Sequence, residues 1–137
     1  MIRRRLVRHG EAAILIALGG VLGANLRYAL GVTAGESLLA TLLANAAGSF
    51  ALGVLLFDAR ADELLSKRFR YVFGTGFCAS FTTYSTFVAD IALSAPDVAL
   101  AYVLASYAAG FGAVLLARKA VSAFETETIR PPTPGGD

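Results

Sequence analysis

The residues best able to contact a small ion are neutral hydrogen-bond donors that recur on apolar segments. Two tracks have members four residues apart, one formed by Thr41, Asn45 and Ser49 and the other by Tyr102 and Ser106. Residues at this spacing share one face of a helix. Polar residues inside membrane helices are rare without a binding or transport role. The two tracks therefore predict a polar path between apolar helices.

A third group of polar residues is denser, because Phe81 is the only apolar residue between positions 80 and 86. Serine and threonine hydroxyls can bond back to carbonyls one turn earlier, which accounts for one or two of them. In the alternative, the helix is broken near the middle of the membrane and exposes carbonyls and hydroxyls to a cavity or an ion. The density of the cluster favours the broken helix.

The chemistry of these tracks is neutral, because no carboxylate lies deep in an apolar segment. Glu11 precedes the apolar segments, Asp90 lies near the end of one of them, and Glu36 and Asp97 lie in turns. Amide, hydroxyl and aromatic-edge donors suit a small hydrated anion, since they replace its water without a fixed charge. The same hydroxyls can also bind a cation through their lone pairs, so these residues alone favour an anion without excluding a cation.

The elements that must position these donors are long and almost free of charge. The chain has 137 residues, 56% hydrophobic and 16% charged. Within 12–57 and 71–117 the charged residues are Arg27, Glu36, Asp90 and Asp97. Soluble helices need a polar face, so a soluble domain is disfavoured, and each block has room for two spans of about 20 residues. We predict an all-α membrane protein with four transmembrane helices, at about 12–33, 38–57, 71–93 and 98–117.

The basic residues indicate the orientation of these helices. Of the 12 lysines and arginines, Arg27 alone lies outside the two termini and the loop between the second and third helices. The positive-inside rule then puts both termini in the cytoplasm, in a multi-pass protein of the inner (plasma) membrane. We predict a basic cytoplasmic tail over 1–11, a transmembrane domain over 12–117, and a largely disordered cytoplasmic tail over 118–137.

Several other functions are disfavoured by what the sequence lacks. The basic residues flank apolar segments and do not form an aromatic and basic surface, so no nucleic-acid partner is expected. The single Cys78 cannot form an intramolecular disulfide, and with the single His9 it cannot form a zinc cluster. The sequence contains no recognisable nucleophile with an adjacent base and no carboxylate pair, so we expect no enzymatic activity.

Three segments resemble the signatures of the CrcB/Fluc fluoride channels. They are 19–28, 41–50 and 76–87, with the sequences GGVLGANLRY, TLLANAAGSF and GFCASFTTYSTF. They fall in order in three predicted helices, and the resemblance covers nearly all of 12–117. It implies an antiparallel dimer of four-helix subunits that exports toxic fluoride passively down its electrochemical gradient, through two pores along the subunit interface.

The resemblance also implies roles for individual residues. Pore lining would fall to Asn45, Tyr84, Ser85, Thr86, Phe87, Tyr102 and Ser106. The backbone carbonyls of Ala79 and Thr82 would hold a structural sodium ion (Na+) at the dimer centre, where the third helix breaks. Arg27 would lie near a vestibule, although a side chain that snorkels to lipid headgroups explains it equally well.

The chain departs from the pattern of this family in three ways. Ala79 and Ser80 stand where two glycines are usual, so the break must form with less permissive backbone. Tyr84 stands where a phenylalanine normally pairs with Phe87, and its hydroxyl either donates to the anion or narrows the path. Gly110 occupies a usually polar position, which shortens the track on the fourth helix by one donor.

The partner of this subunit is either an identical chain or a homologue. An antiparallel homodimer needs one sequence to insert in both directions, which is easiest when loop charges balance. The strong bias of the basic residues toward one side favours a homologous subunit of opposite topology.

Two other functions stay open. One is a small dual-topology multidrug exporter, which is disfavoured because the midplane lacks a carboxylate. The other is a structural membrane protein whose hydroxyls only pack.

Overall fold

The chain is helical, apart from short connections, in the parts that a computed structural model describes. These are the backbone of 2–35, 38–58 and 65–128, with side chains from residue 9 to residue 124 except at 36–37, 59–64 and 67. Helix α1 comprises Ile2–Ala34 and α2 comprises Leu38–Asp58. Of the tail predicted to be largely disordered over 118–137, residues 118–128 belong to a helix and residues 129–137 lie outside the described residues.

The region predicted as the third helix consists of several shorter elements. Helix α3 (Lys67–Phe69) continues into a π-helix (Arg70–Cys78) and then into α4 (Ala79–Phe81). Thr82 and Thr83 are extended, with ψ of 156° and 124°. Helix α5 (Tyr84–Leu93) follows, and α6 comprises Pro96–Thr128. We refer to 67–81 as the arm and to Thr82 and Thr83 as the break.

The observed helix lengths agree with the prediction for α2 and exceed it for α1 and α6. Helix α1 starts at Ile2 instead of near residue 12, and α6 continues to Thr128 instead of ending near residue 117. The added segments contain arginine, lysine, glutamate and alanine, which have high helix propensity. Each helix has 33 residues, about 50 Å at 1.5 Å per residue, and so exceeds a hydrocarbon core of about 30 Å.

Three helices of the described part are long and apolar enough to cross a membrane. The qualifying segments are His9–Ala34, Leu38–Asp58 and Pro96–Phe124. Large apolar side chains are exposed along them, including Leu18, Leu22, Leu104 and Leu115. Exposure of such apolar surfaces to water is unfavourable, whereas lipid or a second subunit would cover them. The region 71–93 does not qualify, because its helices are short.

Helix α1 packs against the arm with almost no space between the two backbones. A Cβ atom on Gly19 would overlap the carbonyl oxygen of Val72, and one on Gly23 would overlap that of Phe77. Gly76 faces the α1 backbone equally closely from the arm. Small residues permit such close contact between membrane helices. Gly19 and Gly23, which are four residues apart, therefore allow close packing within one subunit.

Helix α2 packs along α6 through a second set of small residues. Ala44 is 2% exposed and Ala117 is fully buried, and a Cβ on Gly53 would lie 2.9 Å from that of Ala117. By contrast, Ala101 and Ala105 near the start of α6 are exposed. Alanines recur every four residues on α6 from Ala101 to Ala117. They contribute to packing within the subunit only in the later part of this helix.

The end of α2 is tied to the start of the arm by Arg70. The Arg70 Nη2 atom lies 3.0 Å from the Oδ2 atom of the buried Asp58. The same guanidinium donates to the carbonyls of Leu55 and Leu65, and the Leu65 N–H also donates to Asp58. A buried ion pair is costly unless further hydrogen bonds satisfy it, as they do here. This contact fixes where the arm enters the bundle.

Candidate functional site

The break is held by the side chain of Asn45 on α2. The Thr83 N–H donates to Asn45 Oδ1 at 2.8 Å, and Asn45 Nδ2 donates to the Thr83 carbonyl at 3.0 Å. In an uninterrupted helix, the Thr83 N–H would donate to the carbonyl of Ala79. Asn45 thus replaces the helical partner of Thr83. One N–H of its amide is not used in this pair.

The hydroxyls that follow the break cap the start of α5. Thr83 Oγ1 accepts a hydrogen bond from the Thr86 N–H at 3.2 Å, the usual geometry of a threonine N-cap. The same hydroxyl contacts Thr86 Oγ1 at 3.0 Å and Ser85 Oγ at 3.2 Å. Ser85 and Thr86 therefore take part in a local capping network.

A cavity of about 500 Å³ lies beside the break, between α2, the arm, α5 and α6. Its polar lining residues are Asn45, Ser49, Thr82, Thr83 and Ser106, and its aromatic ones are Tyr84, Phe87, Tyr107 and Phe111. The remaining lining residues are Gly48, Leu52, Cys78, Ala79, Gly110 and Val114. Among the described residues, those that line this cavity carry no charge. The cavity is large enough for several water molecules, at about 30 Å³ each.

The aromatic residues form a connected series of rings along this cavity. The ring centroids of Tyr84 and Phe87 lie 5.9 Å apart, and Phe87 meets Tyr107 at 6.3 Å with the rings perpendicular. Tyr107 in turn stacks on Phe111 at 6.3 Å. Phe87 is buried, whereas Tyr84 is 76% exposed at the open side of the cavity. Ring edges carry partial positive charge, so this wall can face an anion.

Two residues of the predicted α6 track have different environments. Tyr102 is buried behind Phe87, at a centroid distance of 5.5 Å, and its hydroxyl donates to Asp90 Oδ2 at 3.2 Å. Ser106 lines the cavity, and its Oγ atom is buried without a hydrogen-bond partner in the described part of the chain. A buried hydroxyl is normally satisfied. Ser106 is therefore a candidate contact for an ion or water.

Arg27 lies close to the break. Its Nε atom donates to the carbonyl of Ser80 at 3.3 Å, linking α1 to the last turn of the arm. Its side chain is exposed. The structure therefore gives Arg27 a contact with the backbone next to Ala79, in addition to the vestibule or lipid-facing roles considered from the sequence.

The structure brings together four of the seven predicted pore-lining residues. Asn45, Tyr84, Phe87 and Ser106 line the cavity. The other three, Ser85, Thr86 and Tyr102, are not among its lining residues and instead contact Thr83 or Asp90.

The predicted site residues also omitted four polar or aromatic residues that line the cavity. These are Ser49, Thr83, Tyr107 and Phe111. Ser49 was visible as part of the α2 track, and Tyr107 and Phe111 could have been found from their spacing of four residues next to Ser106.

The fold and the site together define a class of protein. Long apolar helices with exposed leucines and an uncharged, donor-lined cavity beside a helix break are the features of a multi-pass membrane protein. The sequence profile described as "CrcB-like protein, Camphor Resistance (CrcB)" matches residues 14–118. The chain belongs to this family.

Several relatives are similar over most of the chain. The "Fluoride-specific ion channel FluC 1" of Haloarcula marismortui is 45% identical over 114 residues, covering 83% of this chain and 88% of the relative. The "Fluoride-specific ion channel FluC 2" of Halobacterium salinarum is 48% identical over 110 residues, covering 79% and 84%. The "Fluoride-specific ion channel FluC 1" of Natronomonas pharaonis is 40% identical over 112 residues, covering 81% and 94%.

Proposed function

We propose that this chain is a subunit of a fluoride-selective ion channel that exports fluoride passively and so relieves its toxicity. The observation that carries the proposal is the uncharged cavity, which is lined by amide and hydroxyl donors and by aromatic rings. The relatives named as fluoride-specific ion channels support fluoride as the ion. Their names also agree with the expectation that the chain is not an enzyme.

The chemistry of the cavity suits electrodiffusion of a small anion. Fluoride would lose water at the mouth and receive hydrogen bonds from the free N–H of Asn45 and from the Ser106 hydroxyl. The edges of Phe87 and Tyr84 would stabilise it further along. Neutral donors replace the water of an anion without binding it as tightly as a fixed positive charge, so the ion can leave.

In this proposal the arm and α5 together form the third membrane crossing in chain order, which brings the number of crossings to four. Helix α5 has 10 residues and is about 15 Å long, half of a hydrocarbon core of about 30 Å. This length supports a break near the midplane, because α5 begins at the break and would end, at Leu93, near one membrane surface. With four crossings, both termini lie on one side, and the basic residues favour the cytoplasmic side of the plasma membrane.

A second subunit would close the cavity in an antiparallel dimer. Tyr84 is largely exposed at the open side of the cavity, and a membrane pore needs protein around its polar wall. The partner is an identical chain or a homologue of opposite topology, and the charge bias favours the homologue. Crosslinking this chain, expressed alone, into an antiparallel dimer that conducts fluoride would exclude the need for a homologue.

A structural Na+ ion at the dimer centre is part of the same proposal. Asn45 Oδ1 accepts the hydrogen bond of the Thr83 N–H, so this N–H does not bond to the Ala79 carbonyl. The carbonyls of Ala79 and Thr82 would hold the ion, and neutral oxygen ligands suit a hard cation. The ion would stabilise the dimer centre. Replacing Na+ by N-methylglucamine should lower the thermal stability of the dimer, and equal stability in both salts would contradict this site.

The proposed function is tested by ion release from liposomes that contain only the purified chain. Liposomes are loaded with potassium fluoride or potassium chloride, valinomycin is added, and an ion-selective electrode records the released anion. Fast fluoride release with negligible chloride release is the expected result for a conducting homodimer. If fluoride is not released, the assay is repeated with a co-expressed homologous subunit, and silence in both assays rejects the function.

Phe87→Ile is expected to slow fluoride release by about tenfold or more, because isoleucine fills a similar volume but has no ring edge to stabilise the anion. The variant should still elute as the same oligomer in size-exclusion chromatography. Phe50→Ile, on α2 but outside the cavity lining, is the matched control and should conduct normally. Undiminished release through the Phe87 variant would show that this ring is not on the path.

A further inference from the structure

The track of donors on α6 ends at Gly110, one turn after Ser106, yet a hydroxyl from another helix lies at this level. A Cβ atom built on Gly110 would have the Oγ atom of Ser49 at 3.8 Å, and that oxygen is the atom found within 4 Å of it. A polar side chain at position 110 would therefore lie next to the Ser49 hydroxyl. The absence of a side chain at Gly110 leaves the space in front of this hydroxyl open.

Ser49 has an unused hydroxyl. It lies one turn after Asn45 on α2, is half-buried, and lines the cavity. Serine in a helix commonly bonds back to a carbonyl one turn earlier, as Ser122 does here. In the described part of the chain, the Ser49 hydroxyl makes no such bond. It is thus available to a bound ion or water.

The surroundings of Ser49 match those of the donors already assigned. The unsatisfied Ser106 hydroxyl lies one turn before Gly110, and the rings of Tyr107 and Phe111 line the same cavity. This part of the cavity has no charged lining residue among those described. An anion at the Gly110 level would meet a hydroxyl from α2 and aromatic rings from α6.

We infer that Ser49 is a further anion-coordinating residue, which donates to fluoride at the level of Gly110 where α6 lacks a donor. The polar path therefore changes helix, from Ser106 on α6 to Ser49 on α2. The inference rests on the proposed fluoride conduction. It also explains how the path continues although a usually polar position is glycine.

The test is Ser49→Ala, alone and combined with Gly110→Ser, in the assembly that releases fluoride in the assay above. Ser49→Ala should slow fluoride release by about tenfold, the effect of losing one hydrogen bond to a charged group. Gly110→Ser in the Ser49→Ala background should restore release to within about threefold of the unmodified chain, because it returns a hydroxyl to the same place. Ser122→Ala, outside this cavity, is the matched control.

The outcomes separate the inference from the proposed function. If the unmodified chain releases fluoride and Ser49→Ala does so at the same rate, the inference is wrong and the function stands. Slow release that Gly110→Ser does not restore in a monodisperse double variant also overturns it, since a packing defect would behave in this way. If the double variant aggregates, Ser49→Thr and Ser49→Val are compared instead. Ser49→Thr, which keeps the hydroxyl, should release fluoride fast, and Ser49→Val, which lacks it, should release fluoride slowly. Absence of release from the unmodified chain, with or without a partner, overturns both.

Discussion

Replacing Asn45 by alanine is expected to slow fluoride release by about 100-fold and to lower the stability of the subunit by about 2–5 kcal/mol. Both atoms of the amide group bond to Thr83, so alanine leaves the N–H and the carbonyl of Thr83 without their partners. The break would then relax, and the free N–H of Asn45 would be lost from the cavity. Ion release and thermal unfolding in detergent measure the two effects.

A second substitution at the same position separates geometry from donor chemistry. Asn45→Asp keeps the acceptor for the Thr83 N–H but loses the donor to its carbonyl and adds a negative charge to an otherwise uncharged cavity. We expect it to block fluoride release while retaining more stability than alanine does. The matched control is Asn25→Ala, because within the described residues the Asn25 side chain bonds to the Val21 carbonyl alone, on the exposed face of α1. Normal release through both Asn45 variants would remove this residue from the path.

Gly19→Ala is expected to prevent stable assembly of the subunit. The added methyl group would overlap the Val72 carbonyl and would also lie 2.9 Å from the Phe77 nitrogen. These are backbone atoms, so no side-chain rotation can relieve the contact, and α1 must move away from the arm. Overpacking costs about 1–3 kcal/mol even where side chains adjust, and a larger loss is expected here.

The yield of monodisperse protein and its melting temperature in detergent measure this loss. Gly112→Ala is the matched control, because it adds the same methyl group on α6 where, apart from the neighbouring backbone of the helix itself, no atom of the described residues lies within 4 Å. We expect it to leave the yield unchanged and to stabilise the helix slightly, since alanine has the higher helix propensity. If Gly19→Ala and Gly112→Ala behave alike, close packing at Gly19 is not needed for assembly.

The sequence predicted features that depend on local pattern. The bounds of α2 followed from an uncharged, mainly apolar run, and the arm ends and α5 begins within the polar cluster at 80–86. The family was identified from three short motifs, and the profile match over 14–118 confirms it. Helix ends were less predictable, because charged residues with high helix propensity extend α1 and α6 beyond the apolar segments.

Features that depend on tertiary contact could not be read in this way. The partner of Asn45 is 38 residues away, and nothing in the spacing of either residue selects Thr83. Ser85 and Thr86 have hydroxyl groups, as pore-lining residues can. Whether these hydroxyls are free to contact an ion depends on which hydroxyl caps α5. The π-helix also has no clear signal in the sequence. It lies where the backbone of the arm contacts Gly19 and Gly23 of α1, which is a tertiary contact.

The two walls of the cavity differ in their mechanical character. Helix α6 is a continuous rod from Pro96 to Thr128, so a change in the position of Ser106 would displace the far end of the same helix. The opposite wall contains the break, where two extended residues separate the arm from α5 and allow one to move without the other. Any widening of the cavity would therefore originate at Thr82 and Thr83, and a spin label near residue 124 would stay still while one on α5 moves.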